Sequence, residues 1–115
     1  MAQDPSFAQF EFSDLDKTRS EQNKTYLEFL RTESMHCGIY HLAAGSEDRQ
    51  SPHDEDELYY VQSGTGKFLA DGKDVDVKPG TVLYVKADEK HRFHSIKEDL
   101  TILVFFSTAK TASKN

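Results

Sequence analysis

The chain of 115 residues has no tryptophan, a single cysteine and fewer basic than acidic side chains. The lone Cys37 permits neither an internal disulfide nor a CxxC metal or redox motif. The longest mostly apolar stretch, residues 100–106, is far shorter than the ~20 residues that span a bilayer, so no membrane association is expected. The formal net charge of −6 excludes the basic face with which proteins meet nucleic acid.

Aromatic and aliphatic residues, by contrast, are plentiful. Eight Phe, five Tyr and a hydrophobic content of 37% are enough for one modest core, and the length fits one domain. The N-terminus carries the acidic Asp4 and has no apolar segment of the kind found in signal peptides. We therefore expect a globular, cytoplasmic protein.

The arrangement of the hydrophobic residues is typical of β-strands. Short runs rich in Val, Ile, Tyr, Phe and Thr recur about every 8–12 positions between turn residues, which favours a β-sandwich or β-barrel. Asp71-Gly72 predicts a type I′ hairpin, while Pro79-Gly80 and residues 64–66 predict further turns. The all-β prediction comprises strands at residues 25–31, 35–43, 57–62, 67–70, 73–77, 81–86, 91–96 and 101–107, the last of which is apolar on both faces like a central strand.

The two ends of the chain are more polar than its middle. A helix over residues 14–29 would place Leu15 and Tyr26 in one stripe, but residues 17–24 are too polar to favour it. We expect a polar N-terminal segment at residues 1–24, a β-barrel domain at residues 25–108 and a disordered tail at residues 109–115.

Two histidines and a glutamate have the spacing of metal ligands. His53 and Glu57 are four residues apart, so they project to the same face of an extended chain. His91 stands at the start of a later predicted strand. If the two strand starts meet at one mouth of the barrel, these side chains form the ligand set that holds Fe(II) and also suits Mn, Ni or Zn. The alternative is a solvated histidine in an acidic loop and two ordinary residues at the barrel rim.

The segment around His53 resembles the first conserved motif of the cupins. That motif runs from a Gly through His-x-His and a Glu to a second Gly, and Gly45, His53, Glu57 and Gly64 fall at its positions. Ser51 stands where the family has its first His, and serine is a poor metal ligand.

Residues 80–95 resemble the second cupin motif, in which Gly80 and His91 match. Lys86, Asp88 and Ser95 replace the motif's Pro, second Gly and Asn. Because aspartate tolerates a left-handed backbone better than most residues, we expect the turn at Asp88 to be retained.

The resemblance implies a single-domain cupin with a jelly-roll β-barrel, commonly dimeric, whose divalent ion (Fe, Mn, Ni or Zn) is held by His53, Glu57 and His91. Ser51 reduces the family's four protein ligands to three, although Gln50 could supply an oxygen nearby. Three protein ligands with an open position are what catalytic metal sites use.

Other residues are candidates for the pocket around this site. Tyr59 and Phe93 follow Glu57 and His91 by two residues on the same faces, so both are expected as pocket walls. Glu55 shares the parity of Glu57 and is the reserve ligand, whereas His94 is expected on the opposite face from His91. The neighbouring strand carries two further histidines, His36 and His41, which face opposite ways. The pattern does not decide which of the two enters the cavity.

Two functional classes follow from these residues, with a third in reserve. The first is a metal-dependent, dioxygenase-like enzyme acting on a small oxygenated substrate such as an enol, diketone, hydroxy acid or sugar. The second is a non-enzymatic module that binds a small ligand in the same barrel, and the third is a purely structural dimerising domain. The fold does not choose among them. We expect a homodimer in each case.

Overall fold

A computed structural model describes residues 4–49 and 52–108 of the chain. It contains one α-helix and six β-strands: α1 (Phe12–Glu21), β1 (Tyr26–Arg31), β2 (Met35–Leu42), β3 (Glu57–Ala70), β4 (Lys73–Val77), β5 (Val82–Val85) and β6 (His91–Ser107). The tail predicted at residues 109–115 lies outside the described residues. No helix in the described ranges has the length and apolar character needed to cross a membrane.

All strands pair antiparallel in one curled sheet. The order is β1-β2-β6-β3-β4, and β5 pairs with the first residues of β3. The apolar strand β6 lies between β2 and β3, the central position predicted for residues 100–106. Buried side chains from both halves of the long strands belong to one core cluster, including Val61 and Phe68 of β3 and Phe93 and Val104 of β6. The sheet therefore curls around a single core without β1 and β4 pairing, and the all-β, cupin-type jelly-roll prediction is confirmed.

The long strands β3 and β6 correct the predicted strand breaks. Each was expected as two strands, but β3 and β6 pair through shifts of register near residues 61–67. Gly64 has φ +93°, and a Cβ atom there would lie 2.1 Å from the carbonyl oxygen of Asp99. Gly64 thus permits close contact between the strands at a bend, and a glycine expected to form a turn instead lies within a strand.

The predicted turns elsewhere are confirmed. Asp71 and Gly72 have φ of 52° and 69°, as a type I′ hairpin requires. Asp88 has φ 68°, so aspartate does adopt the left-handed backbone where the family motif has glycine.

The polar N-terminal segment contains the helix α1, which the sequence did not favour. Its less exposed residues are Phe12, Leu15, Asp16 and Arg19, the spacing of one helix face. Arg19 is buried, its Nε donating to Asp16 Oδ1 at 2.9 Å and its Nη1 to the Lys24 carbonyl at 2.9 Å. The helix was missed because a paired arginine occupies a position where an apolar residue is expected.

Candidate metal centre and ligand cavity

The alternation of β3 places Glu57 and Tyr59 on the inner face of the sheet. Both side chains are buried, whereas Leu58 and Tyr60 between and beyond them are exposed. His91 opens β6 and is also buried. The starts of these two strands therefore meet inside the fold.

Glu57 and His91 are in direct contact. His91 Nε2 lies 3.0 Å from Glu57 Oε1, and each side chain is 1% exposed. The Nδ1–H of His91 donates to the Glu89 carbonyl oxygen at 2.8 Å, which directs Nε2 toward Glu57. The hydroxyl of Tyr59 lies 3.0 Å from the same Nε2.

Burial alone would lower the pKa of His91. The hydrogen bonds to Glu57 and to the Glu89 carbonyl, together with the nearby carboxylate charges, more than offset it, and the net pKa is raised above its usual value. The other carboxylate oxygen of Glu57, Oε2, is buried without a hydrogen-bond partner among the described residues. Buried polar atoms are nearly always paired, so this oxygen calls for an explanation.

The Glu57–His91 pair fits two ligands of a divalent cation. Metal-ligating histidines typically donate their second ring N–H to a carbonyl or carboxylate, which His91 does toward Glu89. The buried Glu57 oxygen without a hydrogen-bond partner is the second atom that could coordinate such an ion.

His53 lies near the pair, on the side of Phe106. Its ring centroid is 6.5 Å from that of His91 and 4.9 Å from that of Phe106. Across residues 4–49 and 52–108, no three His, Cys, Asp or Glu side chains are grouped closely enough to hold an ion. Gln50 and Ser51 lie outside the described residues.

A cavity of about 310 Å³ adjoins this pair. Tyr59 connects the two, because its ring lines the cavity and its hydroxyl contacts His91. Phe93, expected as a second wall, is fully buried one layer deeper, with its ring 5.2 Å from that of Tyr59. The lining residues are Tyr26, Glu28, Arg31, His36, Tyr40, His53, Tyr59, Val104 and Phe106.

Sequence reasoning missed the wall of the cavity that β1 and β2 form. Tyr26 lies over Gly38, where a Cβ atom would come within 2.3 Å of the phenol carbon and oxygen. The glycine thus makes room for the Tyr26 ring. A glycine in the middle of a strand signals such a close approach, although it does not say which residue approaches.

The structure decides between the two histidines of β2. His36 lines the cavity, with its ring stacked 4.5 Å from that of Phe106 and its Nε2 3.0 Å from Glu55 Oε1. Glu55, the reserve metal ligand, is thus engaged with His36. His41 lies elsewhere, with Nδ1 3.2 Å from Thr101 Oγ1.

Asp48 is a further residue that the sequence did not single out. Its buried carboxylate accepts the hydroxyl proton of Tyr40 at 2.6 Å and the backbone N–H of Phe93 at 2.9 Å. Burial and this carboxylate raise the pKa of Tyr40. Asp48 therefore fixes the Tyr40 wall of the cavity to the strand that carries His91.

The comparison with protein families agrees with the fold. The model of the cupin domain family matches residues 38–106, which include β3 and all of β6 except its last residue, Ser107. The chain belongs to the cupin family.

Individual proteins also match over most of the chain. The uncharacterized protein SCO3923 of Streptomyces coelicolor is 42% identical over 98 residues, which are 85% of this chain and 93% of that protein. An RmlC-like cupin family protein from Methanocaldococcus jannaschii has a TM-score of 0.67 at 15% identity, covering 78% of this chain and 84% of that one. A predicted oxalate decarboxylase from Thermotoga maritima has a TM-score of 0.63 at 26% identity, covering 71% and 77%.

Proposed function

We propose that this cupin binds a divalent metal ion and, in the adjoining cavity, a small oxygenated organic compound. The observation that carries the proposal is the unpartnered Glu57 Oε2 beside His91 Nε2 in the interior. A buried polar atom left unpaired costs about 1–3 kcal/mol, so its retention favours a function that uses it.

The proposed ligands are His53, Glu57 and His91, and the ions that suit them are Fe, Mn, Ni and Zn. When bound, such an ion polarises an oxygen of the organic compound as a Lewis acid or supplies a redox centre. Because three protein ligands leave positions open, the proposal does not need Ser51 or Gln50 as a ligand.

The chain's own residues prepare the site in two ways. The Glu89 carbonyl holds the Nδ1–H of His91, so that Nε2 is the nitrogen available toward Glu57. The aromatic rings of Tyr40, Tyr59 and Phe106 give the cavity an apolar wall that suits a small planar molecule.

A dioxygenase-like or other metal-dependent enzyme is the activity we propose for this site. The Thermotoga maritima relative is named as a predicted oxalate decarboxylase, which supports a small, oxygen-rich substrate as the class to screen. The alternative is a non-enzymatic module that binds a small ligand without turnover. The described residues favour this alternative in one respect, because no third His, Cys, Asp or Glu side chain among them is grouped with Glu57 and His91 closely enough to hold an ion.

Elemental analysis of untagged protein purified without chelator tests the metal site. We expect about one equivalent of Fe, Mn, Ni or Zn in the wild type, most of it lost in His91→Ala and His53→Ala. His94→Ala is the matched control, since His94 contacts Asp74 and Ser95 instead of the pair. Protein that neither contains nor takes up metal would leave the binding module as the function, and oxygen consumption or product formation with candidate substrates separates the two classes.

We also propose that the protein is a homodimer. Leu58 and Tyr60 of β3 and Val82 and Tyr84 of β5 are all exposed. They are direct cross-strand partners, Leu58 with Tyr84 and Tyr60 with Val82. Contiguous apolar patches of this kind are typical of interaction surfaces, and the second copy of this chain is the partner we propose for it.

A further inference from the structure

Two polar atoms on the β1–β2 wall of the cavity have no hydrogen-bond partner in the described part of the chain. They are the hydroxyl oxygen of Tyr26 and Nδ1 of His36, both shielded from bulk solvent. Both residues line the cavity of about 310 Å³. Neither atom belongs to the proposed metal site, so the metal does not explain them.

The two atoms have opposite hydrogen-bonding roles. His36 Nε2 lies 3.0 Å from Glu55 Oε1, and a carboxylate can only accept, so Nε2 carries a proton. In the neutral imidazole with its proton on Nε2, Nδ1 is the acceptor. Burial, followed by the nearby Glu28 carboxylate, raises the pKa of Tyr26 to about 12. The phenol therefore keeps its proton at neutral pH and is a donor.

Glu28 adds a second acceptor to the same corner. Its Oε1 lies 3.4 Å from His36 Nδ1, while Arg31 donates to its two oxygens at 2.8 and 3.0 Å. The guanidinium holds this carboxylate in place. With the Arg31 donors directed at Glu28, the corner offers a ligand the Tyr26 hydroxyl as donor beside the acceptors Glu28 Oε1 and His36 Nδ1.

We propose that Tyr26 and His36 form a subsite that binds a hydroxyl group of the cavity's ligand. The ligand oxygen accepts from the Tyr26 hydroxyl, and the ligand O–H donates to His36 Nδ1. A hydroxyl is the simplest group that is donor and acceptor at once. The inference rests on the proposed function in that the ligand occupies the same cavity, but it does not require the metal.

The rest of the cavity narrows the class of ligand. The rings of Phe106 and Tyr59 form apolar walls, and Phe106 stacks on the His36 ring that supplies the acceptor. A volume of about 310 Å³ is at the small end of ligand pockets. The subsite therefore suits a small, planar, hydroxylated organic compound such as a phenol or an enol.

The test compares phenol with anisole in metal-free protein kept in a chelator. The two probes share a ring and an oxygen, but anisole has no O–H to donate. With affinities measured from histidine side-chain shifts in NMR titrations, we expect phenol to bind about tenfold more tightly than anisole. Equal affinities, or no binding of phenol at the His36 signals, would overturn the proposal, and this comparison needs no variant.

Two variants assign the preference to the subsite. Tyr26→Phe removes only the hydroxyl, and His36→Gln keeps a donor toward Glu55 while removing the acceptor at Nδ1. Each is expected to reduce phenol affinity about fivefold or more with little change for anisole, and His41→Gln is the matched control outside the cavity. If both variants still bind phenol more tightly than anisole by the same factor as the wild type, the proposal is wrong. Metal content is measured separately, so failure of the metal site and failure of this subsite are distinguishable.

Discussion

His91 Nε2 lies 3.0 Å from Glu57 Oε1 in a part of the interior where both side chains are 1% exposed. The two residues are far apart in sequence and belong to the first positions of β3 and β6. The β3–β6 register pairs Glu57 with Phe106 and His91 with Ala70, so the two strand starts meet because the sheet curls around the common core. The Glu57–His91 contact gives the cupin barrel a buried acid–imidazole pair next to a ligand cavity.

Replacing Glu57 by glutamine should lower the pKa of His91. The hydrogen bond and charge of Glu57 are among the causes that raise this pKa, while burial, which lowers it, would remain. NMR titration of the metal-free protein measures the change. Glu55→Gln is the control, because Glu55 contacts His36. An unchanged His91 titration in Glu57→Gln would contradict the assignment.

The same pair predicts a pH dependence of stability. The pKa of His91 is higher in the folded than in the unfolded state, where it is about 6.5. Its stabilising contribution is therefore fully present below that unfolded pKa and is lost as the pH rises through the folded pKa. Denaturant unfolding of metal-free wild type and Glu57→Gln should give a stability difference that shrinks over this window. A difference that grows with pH there would contradict the sign.

Tyr26→Phe should stabilise the protein. The Tyr26 hydroxyl is buried and unpartnered, so removing it relieves an unpaired polar group. We expect a gain of about 1 kcal/mol and a rise in Tm of about 4 °C. Tyr40→Phe is the matched comparison with the opposite expected sign. It removes the hydroxyl that donates to the buried Asp48 carboxylate, so it should destabilise the protein. Equal loss of stability in both variants would show that the Tyr26 hydroxyl has a partner.

Gly38→Ala should disrupt the cavity wall. The added Cβ would lie 2.3 Å from the Tyr26 ring, which must then move. Overpacking of this kind costs about 1–3 kcal/mol, measured by denaturant unfolding. Adding Tyr26→Ala should recover much of that cost in a double-mutant cycle. Additive effects of the two changes would indicate that the strain lies elsewhere.

Charge on the outer face of β3 and β5 should dissociate the proposed dimer. Tyr84 is 63% exposed and Val82 58%, so Val82→Lys and Tyr84→Lys change the surface while leaving the core intact. Sedimentation at micromolar protein should show a wild-type dimer and monomeric variants. Val75→Lys, on exposed β4, is the control and should remain dimeric. A monomeric wild type would contradict the dimer.

What the sequence predicted well depends on local pattern. The alternation of β3 predicted that Glu57 and Tyr59 share an inner face, and Asp71-Gly72 fixed its hairpin through its own backbone preferences. The unbroken course of β3 could not be predicted in the same way. It depends on the approach of Gly64 to the Asp99 carbonyl, a contact between distant parts of the chain.

The same reasoning explains the missed half of the cavity. The position of Tyr26 depends on the cross-strand space above Gly38, and the inward direction of His36 depends on the register between β2 and β6. Neither the position of Tyr26 nor the direction of His36 can be predicted from the periodicity of a single strand. The helix α1 was missed because Arg19 acts as a buried residue only through its contacts with Asp16 and the Lys24 carbonyl.

The most direct test of the metal site is a zinc titration of the metal-free protein, followed through the NMR signals of its histidine side chains. Binding at the proposed site predicts that the His53 and His91 signals change together and saturate at about one equivalent, while the His94 signals stay in place. If His91 remains unchanged, or responds without His53, the three residues do not form one metal centre.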